Sequence, residues 1–356
     1  MTARRSIWTL ALAAALTALL AGACSKAIGP NNDEDDGWTN VGGDMPIRFS
    51  PSLVDTPATK GTLPTGTHFG VMAYYQPGTE SNPGVWGTPA RMPNFMFNQD
   101  VYFDGSTYTY SPLKYWPNNT WNTLTFWAYC PYSANPDLLR SGSTEPFTNT
   151  TTGFPDVRFT ADGTTDLLIS DRKLSQHKPA LGTPVTMIFR HVLSDIEVKL
   201  KKVDASDIYT VKLTTLSLKN IRTNAVYRYS GAGSWNTYSP TLGSHTYFQD
   251  DPDDLSDNVE LTTTFESIGH AILLPQVFTT NEAVLHVEYT INSASLGREM
   301  PSVFDVPLRD VFEDVSFTWT KNTRYTINIS ITPNDPISFT VEWSDWGTVN
   351  NWHITS

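Results

Sequence analysis

The sequence predicts an all-β protein, and three observations support this prediction. Thr, Val, Ile and aromatic residues recur in short alternating runs, as in Ile196, Val198 and Leu200. Pro, Gly, Asn and Asp, the residues that form turns, separate these runs. The sequence contains no capped stretch with a sustained 3.6-residue apolar repeat, so long helices are not expected. Short strands at this spacing are typical of antiparallel β-sandwiches.

Runs of alternating apolar residues predict the individual strands, because successive side chains of a strand point to opposite faces. In chain order these runs are 69–75, 101–103, 124–130, 196–200, 211–213, 216–218, 285–289, 325–331 and 337–343. Short helical turns are predicted near 136–139 and 307–312. In the third run, Leu124, Phe126 and Ala128 share one side, and that side is expected to be buried.

The first 24 residues indicate a secretion signal that ends at a cysteine. Two arginines precede an apolar run over 7–20, and three small residues at 21–23 lead into Cys24. A charged start, a short apolar run and small residues before the cut define such a signal. A cysteine directly after the small residues resembles the lipobox of bacterial lipoproteins. We therefore predict a signal peptide over 1–23 and lipidation of Cys24; the alternative is an ordinary signal with an incidental cysteine.

The segment after Cys24 is polar and carries an acidic run at 33–36. A segment of this composition cannot bury apolar surface, so 24–44 is predicted to be an acidic flexible tether. The acidic run also resembles the export signal that sends lipoproteins of Bacteroides-type bacteria to the outer face of the outer membrane. The predicted location is therefore the cell surface, with a lipid anchor in the outer membrane. A solvated linker without an export role is the alternative.

Charge and length limit the partners and the number of domains. The net charge is −12 and becomes −14 when Arg4 and Arg5 leave with the signal peptide. An acidic chain repels phosphate backbones, so no nucleic-acid partner is expected. The remaining length allows about two domains. Charged and turn residues interrupt the strands at 171–184, which predicts an N-terminal β-sandwich domain over 45–183 and a C-terminal one over 184–356.

Sequence motifs for catalysis are not found. The chain has no Gly-x-Ser-x-Gly, His-Glu-x-x-His or Cys-x-x-Cys motif and no phosphate-binding glycine loop. We therefore predict no enzyme activity, no catalytic residue and no cofactor. Cys130 lies in an apolar run and is predicted to be a core residue. A secreted hydrolase is an open alternative, because the two acids of a glycosidase can lie anywhere in a sequence.

Two local clusters leave alternatives open. Five aspartates crowd one loop, but they lack the spacing of an EF-hand, so no metal site is predicted and calcium is the alternative. They are Asp250, Asp251, Asp253, Asp254 and Asp257. A dense aromatic segment over 108–132 is either core or a sugar-stacking platform. Strand alternation divides its rings between two faces, so some of them belong to the core.

Several phrases of the sequence resemble the fimbrillin family of Bacteroides-type bacteria, the fimbrial subunits and their Mfa-like relatives. They are His68-Phe-Gly-Val-Met-Ala-Tyr-Tyr75, Tyr115-Trp-Pro117, Leu124-Thr-Phe-Trp-Ala-Tyr-Cys-Pro-Tyr132, Asp166-Leu-Leu-Ile169, Val185-Thr-Met-Ile-Phe-Arg-His191, Leu193-Ser-Asp-Ile-Glu-Val-Lys-Leu200, Leu273-Leu-Pro-Gln276, Tyr325-Thr-Ile-Asn-Ile329 and Val341-Glu-Trp-Ser-Asp-Trp346. The resemblance implies two tandem β-sandwich domains of transthyretin-like topology. It also implies secretion as a lipoprotein and assembly with other fimbrial subunits into surface fimbriae.

The resemblance further implies that a protease removes the first strand and that a strand of another subunit fills the groove by β-augmentation. The candidate first strand is 47–54, followed by a loop over 55–66. The best-studied members of the family are cut after an arginine in that loop, whereas here Lys60 is its only basic residue and Arg48 lies within the candidate strand. Lys60 and Arg48 are therefore the candidate processing sites. An uncut subunit would be an anchor or a tip subunit.

Three functions follow from these observations. The first is a structural or adhesive subunit of a fimbrium, with other subunits and a host or bacterial surface ligand as partners. The alternative is a surface glycan-binding lipoprotein of a polysaccharide-uptake system, which would present exposed Trp and Tyr side chains on a concave face. A hydrolase would need two facing carboxylates in a cleft. The C-terminal run 337–343 is the candidate donor strand, and its alternative is pairing within its own sandwich.

Overall fold

A computed structural model describes residues 44–56, 59–61, 63–87, 91–135, 138–142, 144–203, 208–229, 233–236, 238–251, 253, 259–293, 297–332 and 337–346, with backbone alone at 54–56, 59–61 and 314. The first half contains β1 (Phe49–Thr56), β2 (Thr59–Gly61), β3 (His68–Gln76), β4 (Met96–Phe103), β5 (Tyr108–Thr109), β6 (Thr123–Cys130), β7 (Leu139–Ser141), β8 (Glu145–Pro146), β9 (Asp156–Thr160), β10 (Leu168–Ser170), β11 (Lys173–Gln176) and β12 (Val185–His191). The second half contains β13 (Ser194–Lys202), β14 (Tyr209–Arg222), β15 (Asn224–Arg228), β16 (Ser234–Asn236), β17 (Leu242–Gln249), β18 (Val259–Glu260), β19 (Glu266–Leu273), β20 (Val284–Ser293), β21 (Arg298–Pro307), α1 (Leu308–Val311), β22 (Thr323–Ile331) and β23 (Ser338–Asp345).

The strands in the described part of the chain form four sheets, which confirms the all-β prediction. Sheet I has the order β2-β1-β12-β10-β6-β3-β4-β5, with β11 also paired to β6. Sheet II has the order β16-β15-β9-β7-β8, sheet III the order β19-β13-β22-β23, and sheet IV the order β17-β14-β20-β21 with β18 on β14. Within the described part of the chain, no helix is long and apolar enough to cross a membrane.

The central strand β6 is buried on both faces, because sheet I separates two apolar cores. Leu124, Phe126 and Ala128 lie in the smaller core, together with side chains of β1, β3 and β12. Trp127 and Tyr129, on the opposite face, belong to the larger core, which also contains the inner faces of sheets III and IV. The predicted burial of the Phe126 face is confirmed, and the aromatic segment is largely core in this strand.

Strand pairing crosses the predicted domain boundary in two places. β12 begins after residue 184, yet it pairs with β1 and β10 in sheet I. In sheet II, β9 of the first half pairs with β15 of the second half, from Thr160 opposite Asn224 to Val157 opposite Tyr227. The division into 45–183 and 184–356, and the tandem arrangement it implies, stays a prediction. The parts of the chain before and after this boundary share sheets I and II and both apolar cores.

A β-bulge explains one difference between the predicted and observed strands. The runs 211–213 and 216–218 were predicted separately, but they are parts of one strand, β14, in antiparallel register with β20. The register shifts between Leu213 and Thr215, so Leu213 and Leu216 are both fully buried although they are three residues apart. The predicted turn over 307–312 is the helix α1, which buries Leu308 and Val311. Residues 136 and 137 of the other predicted turn lie outside the described residues.

Candidate functional site

The first strand, β1, lies near one edge of sheet I and has a different partner on each side. It pairs in parallel with β12, from Phe49 opposite Val185 to Leu53 opposite Phe189. On the other side the short β2 pairs antiparallel with its second half only, from Leu53 onward. Among the described strands, β12 is therefore the one ladder partner of the first half of β1. This arrangement places a strand with one open edge at the candidate assembly site.

One face of β1 is apolar and buried, and the other is polar. Ile47, just before the strand, and Phe49 and Leu53 within it are at most 3% exposed, whereas Ser50 is exposed. The Phe49 ring lies 5.9 Å from the ring of Phe126, measured between centroids. Each of the three buried side chains contributes about 1.5–3 kcal/mol by leaving water. Withdrawal of β1 would therefore expose an apolar floor and the edge of β12.

The chain just before β1 is held by the aromatic segment. Pro46 forms an isolated antiparallel bridge with Tyr115, and the Ile47 N–H donates to the Lys114 carbonyl at 2.9 Å. The Tyr110 hydroxyl donates to the Ile47 carbonyl at 2.9 Å. Burial raises the pKa of Tyr110 to about 12, so this hydroxyl keeps its proton at physiological pH.

An open groove of about 690 Å³ runs beside residues 46–50, before the part of β1 that pairs with β2. Its lining includes Ile47, which precedes the first strand, and Phe49 of that strand, together with Tyr108, Tyr110 and Leu113. The Leu113 side chain is 45% exposed. The groove gives the first half of β1 an accessible apolar margin.

Of the two candidate processing residues, one precedes β1 in the chain and the other follows it. Arg48 is exposed and directly precedes the strand, and its carbonyl accepts the Val185 N–H at 2.7 Å. Lys60 was expected in a loop, but its backbone lies in β2 opposite Val54. The predicted loop contains a hairpin strand because the chain turns back along β1 after Thr56. A protease would therefore meet Lys60 in an extended edge strand.

The C-terminal candidate strand, β23, pairs within its own sandwich. It forms an antiparallel ladder with β22, from Thr323 opposite Asp345 to Ser330 opposite Ser338, and has no second neighbour among the described strands of sheet III. Phe339 and Val341 are half-buried against the larger core, whereas Trp343, on the same face, is 58% exposed. β23 is an edge strand with an incompletely covered apolar face.

Other residues considered from the sequence have different outcomes. Cys24 lies outside the described residues. Cys130 is fully buried, and burial raises the pKa of its thiol, as expected for a core residue. Asp250 forms an ion pair with Lys212 at 3.0 Å, while parts of the aspartate loop lie outside the described residues. In the described part of the chain, no three His, Cys, Asp or Glu side chains are grouped so that they could hold a metal ion.

The sequence did not indicate two groups of side chains that the structure brings together, a buried ion pair and an aromatic surface pocket. Asp195 on β13 and Arg324 on β22 form an ion pair at 1% and 6% exposure. A second grouping, around Trp235 and Tyr238, lines a surface pocket. The local signal for the ion pair was the presence of charged residues in otherwise apolar strands, but the pairing depends on a parallel register between distant segments.

Comparisons with known proteins agree with this architecture. A profile of the fimbrillin-like family matches residues 56–346, which begins at the last residue of β1 and ends just after β23. The fimbrium subunit Fim1C of Phocaeicola vulgatus is 25% identical over 273 residues, which is 72% of this chain. The chain spans 66% of the length of that relative.

A solved structure of a fimbrial protein from Bacteroides vulgatus has the same fold. It superposes with a TM-score of 0.61 and 18% sequence identity, and the match covers 85% of this chain and all of that chain. The fold likeness and the profile match agree over both halves of the described structure. The chain belongs to the fimbrillin-like family.

Proposed function

We propose that this protein is a structural subunit of a cell-surface fimbrium, exported as a lipoprotein through Cys24 and assembled by strand exchange with other subunits. The observation that carries the proposal is the fimbrillin-like match over 56–346. The name of the relative from Phocaeicola vulgatus, a fimbrium subunit, points in the same direction. The proposed role is structural rather than catalytic, and the proposed location is the outer face of the outer membrane.

The geometry of β1 supports exchange in physical terms. The strand covers an apolar floor that includes Phe69 and Phe126, and its backbone satisfies the edge of β12. Loss of β1 would leave both the floor and the edge exposed to water, which is unfavourable. A strand of similar alternation from another subunit would restore both interactions. Replacement of β1 by a strand of another subunit is therefore more favourable than loss of β1 alone.

The position of each basic residue favours Lys60 over Arg48 as the processing site. A cut after Arg48 would leave all of β1 attached to the body, so the groove would stay filled. A cut after Lys60 would separate β1 from the rest of the chain once the hairpin with β2 opens. We propose that a processed subunit begins at Gly61, and that an uncut subunit keeps its anchor at Cys24.

The N-terminus of the surface protein provides one test. We expect wild-type cells to yield an N-terminal peptide that is either lipidated at Cys24 or begins at Gly61, as read by mass spectrometry. The Cys24→Ala variant should incorporate no fatty-acid analogue, because the proposed anchor is gone, and it should not be retained at the outer membrane. Label on the Cys24→Ala protein would contradict the proposed lipidation site.

Trp343 provides the test of β23 as donor strand. In the subunit itself Trp343 is 58% exposed, so Trp343→Asp should change the melting temperature little. In a groove of another subunit the same side chain would be buried, and a buried unpaired carboxylate is strongly unfavourable. We expect Trp343→Asp to abolish the filament ladder on non-boiled gels and the filaments seen by electron microscopy.

Ser344→Asp is the matched control, since Ser344 is exposed and lies on the opposite face of β23. It adds the same charge to the same strand and should leave the ladder intact. An intact ladder from Trp343→Asp would exclude β23 as the polymerising strand. A deletion strain whose surface filaments are unchanged would contradict the proposed function itself.

A further inference from the structure

A surface pocket of about 590 Å³ lies in the second half of the protein, and none of its lining residues belongs to β1 or β23. Its aromatic lining consists of Trp235, Tyr238 and the nearly fully buried Trp319. Pro275 and Val277 provide further apolar surface. A concave site of this volume, mainly apolar with a few polar groups, is typical of small-molecule binding sites.

The two partly exposed rings are fixed in place before any ligand binds. Trp235 donates its Nε1–H to the Val192 carbonyl at 2.5 Å, and its ring meets the Tyr227 ring edge-on at 5.3 Å between centroids. The Tyr238 hydroxyl donates to the Pro275 carbonyl, and burial raises the pKa of Tyr238 to about 12. Since the polar ends of both rings are engaged within the protein, their remaining exposed surface is apolar and rigid.

The charge of the pocket is opposite to that of the protein. Arg222 and Lys321 line it, and no carboxylate occurs among the lining residues that the structure describes. The whole chain has a net charge of −12, so a cavity with two cations is a local exception. Such a site attracts anions and repels cationic ligands of the same shape.

Both cations are oriented by backbone carbonyls. Arg222 donates from Nη1 to the Ser239 carbonyl at 2.7 Å, and Lys321 donates from Nζ to the Gly233 carbonyl at 2.9 Å. Burial, and then the nearby Arg190, lower the pKa of Lys321. An anion in the pocket would offset both effects, because it stabilises the charged form of the lysine.

We propose that this pocket binds an acidic sugar, a pyranose ring that carries a carboxylate. The apolar face of such a ring matches the fixed surfaces of Trp235 and Tyr238, and its carboxylate matches the guanidinium of Arg222. Its hydroxyls match the Ser and Thr side chains of the lining, Ser234, Thr318 and Thr320. The volume accommodates one or two rings. This ligand site goes beyond the structural role of the subunit and does not depend on strand exchange.

The test uses the full chain purified in detergent, with glucuronate as the probe and glucose as its neutral counterpart. Val277 is 64% exposed and lines the pocket, so a substitution there adds charge without disturbing the core. We expect Val277→Glu to weaken glucuronate binding about threefold or more, and Val277→Lys to maintain or strengthen it. At low ionic strength, the dissociation constants of the two variants should differ about 10-fold. Titration calorimetry measures both.

Val303→Glu is the remote control, because Val303 is 60% exposed on β21 and does not line the pocket. It should bind glucuronate as the wild type does. The proposal is overturned if glucose binds as tightly as glucuronate, or if Val277→Glu and Val277→Lys bind glucuronate equally. It is also overturned if glucuronate does not bind, and binding of benzoate in that case would show that the site recognises an aromatic acid instead. Normal filaments in all three variants would keep this result separate from the assembly proposal.

Discussion

Replacement of Phe126 by alanine is expected to lower the free energy of unfolding by about 3–5 kcal/mol. Phe126 is fully buried in the central strand of sheet I, where its Cα pairs with those of Ala73 and Lys173 on neighbouring strands. Its ring meets the rings of Phe49 at 5.9 Å and Trp116 at 5.8 Å between centroids. Removal of the Phe126 ring leaves a cavity that these rings and the hydrogen-bonded strands cannot close. Chemical denaturation measures the change in the free energy of unfolding.

Phe97→Ala is the matched control, because it makes the same substitution on β4, where Phe97 is 39% exposed. It should cost about 1 kcal/mol or less, since much of the side chain already contacts water. Equal losses from Phe97→Ala and Phe126→Ala would contradict the full burial of Phe126 in the smaller core.

Asp195→Ala is expected to cost about 3–5 kcal/mol, because it leaves a buried guanidinium without its counter-ion. Asp195 and Arg324 are Cα partners in the parallel ladder between β13 and β22. The His270 Nδ1 lies 3.4 Å from the same carboxyl group. The double variant Asp195→Leu with Arg324→Met should recover most of the loss, because it removes both buried charges together. Thermal and denaturant unfolding of the single and double variants measure this coupling.

The exposed ion pair between Asp171 and Arg190 is the control for that prediction. Two N–H groups of Arg190 each donate to an Asp171 carboxylate oxygen at 2.9 Å, and the two side chains are 40% and 52% exposed. Asp171→Ala should cost about 1 kcal/mol or less, since water solvates the charge that remains. A similar cost for Asp171→Ala and Asp195→Ala would show that burial does not set the strength of the inner pair.

Part of the candidate site followed from the sequence. The family resemblance placed the candidate first strand at 47–54, and the structure has β1 at Phe49–Thr56. Its parallel partner β12 could not be predicted, because that strand lies far along the chain and pairing depends on the register of the whole sheet. For the same reason Lys60, surrounded by turn residues, was expected in a loop rather than in β2.

The sequence by itself determined that the protein is built from short strands, because the two-residue period of apolar side chains is a local property of the chain. It also determined that Phe126 faces a core. The tertiary structure alone decided that Trp127, on the other face of β6, is buried as well, since that depends on residues from the second half of the chain. It likewise brought Trp235, Tyr238 and Lys321 to one pocket. Contacts of this kind depend on segments far apart in sequence, and no local pattern encodes their meeting.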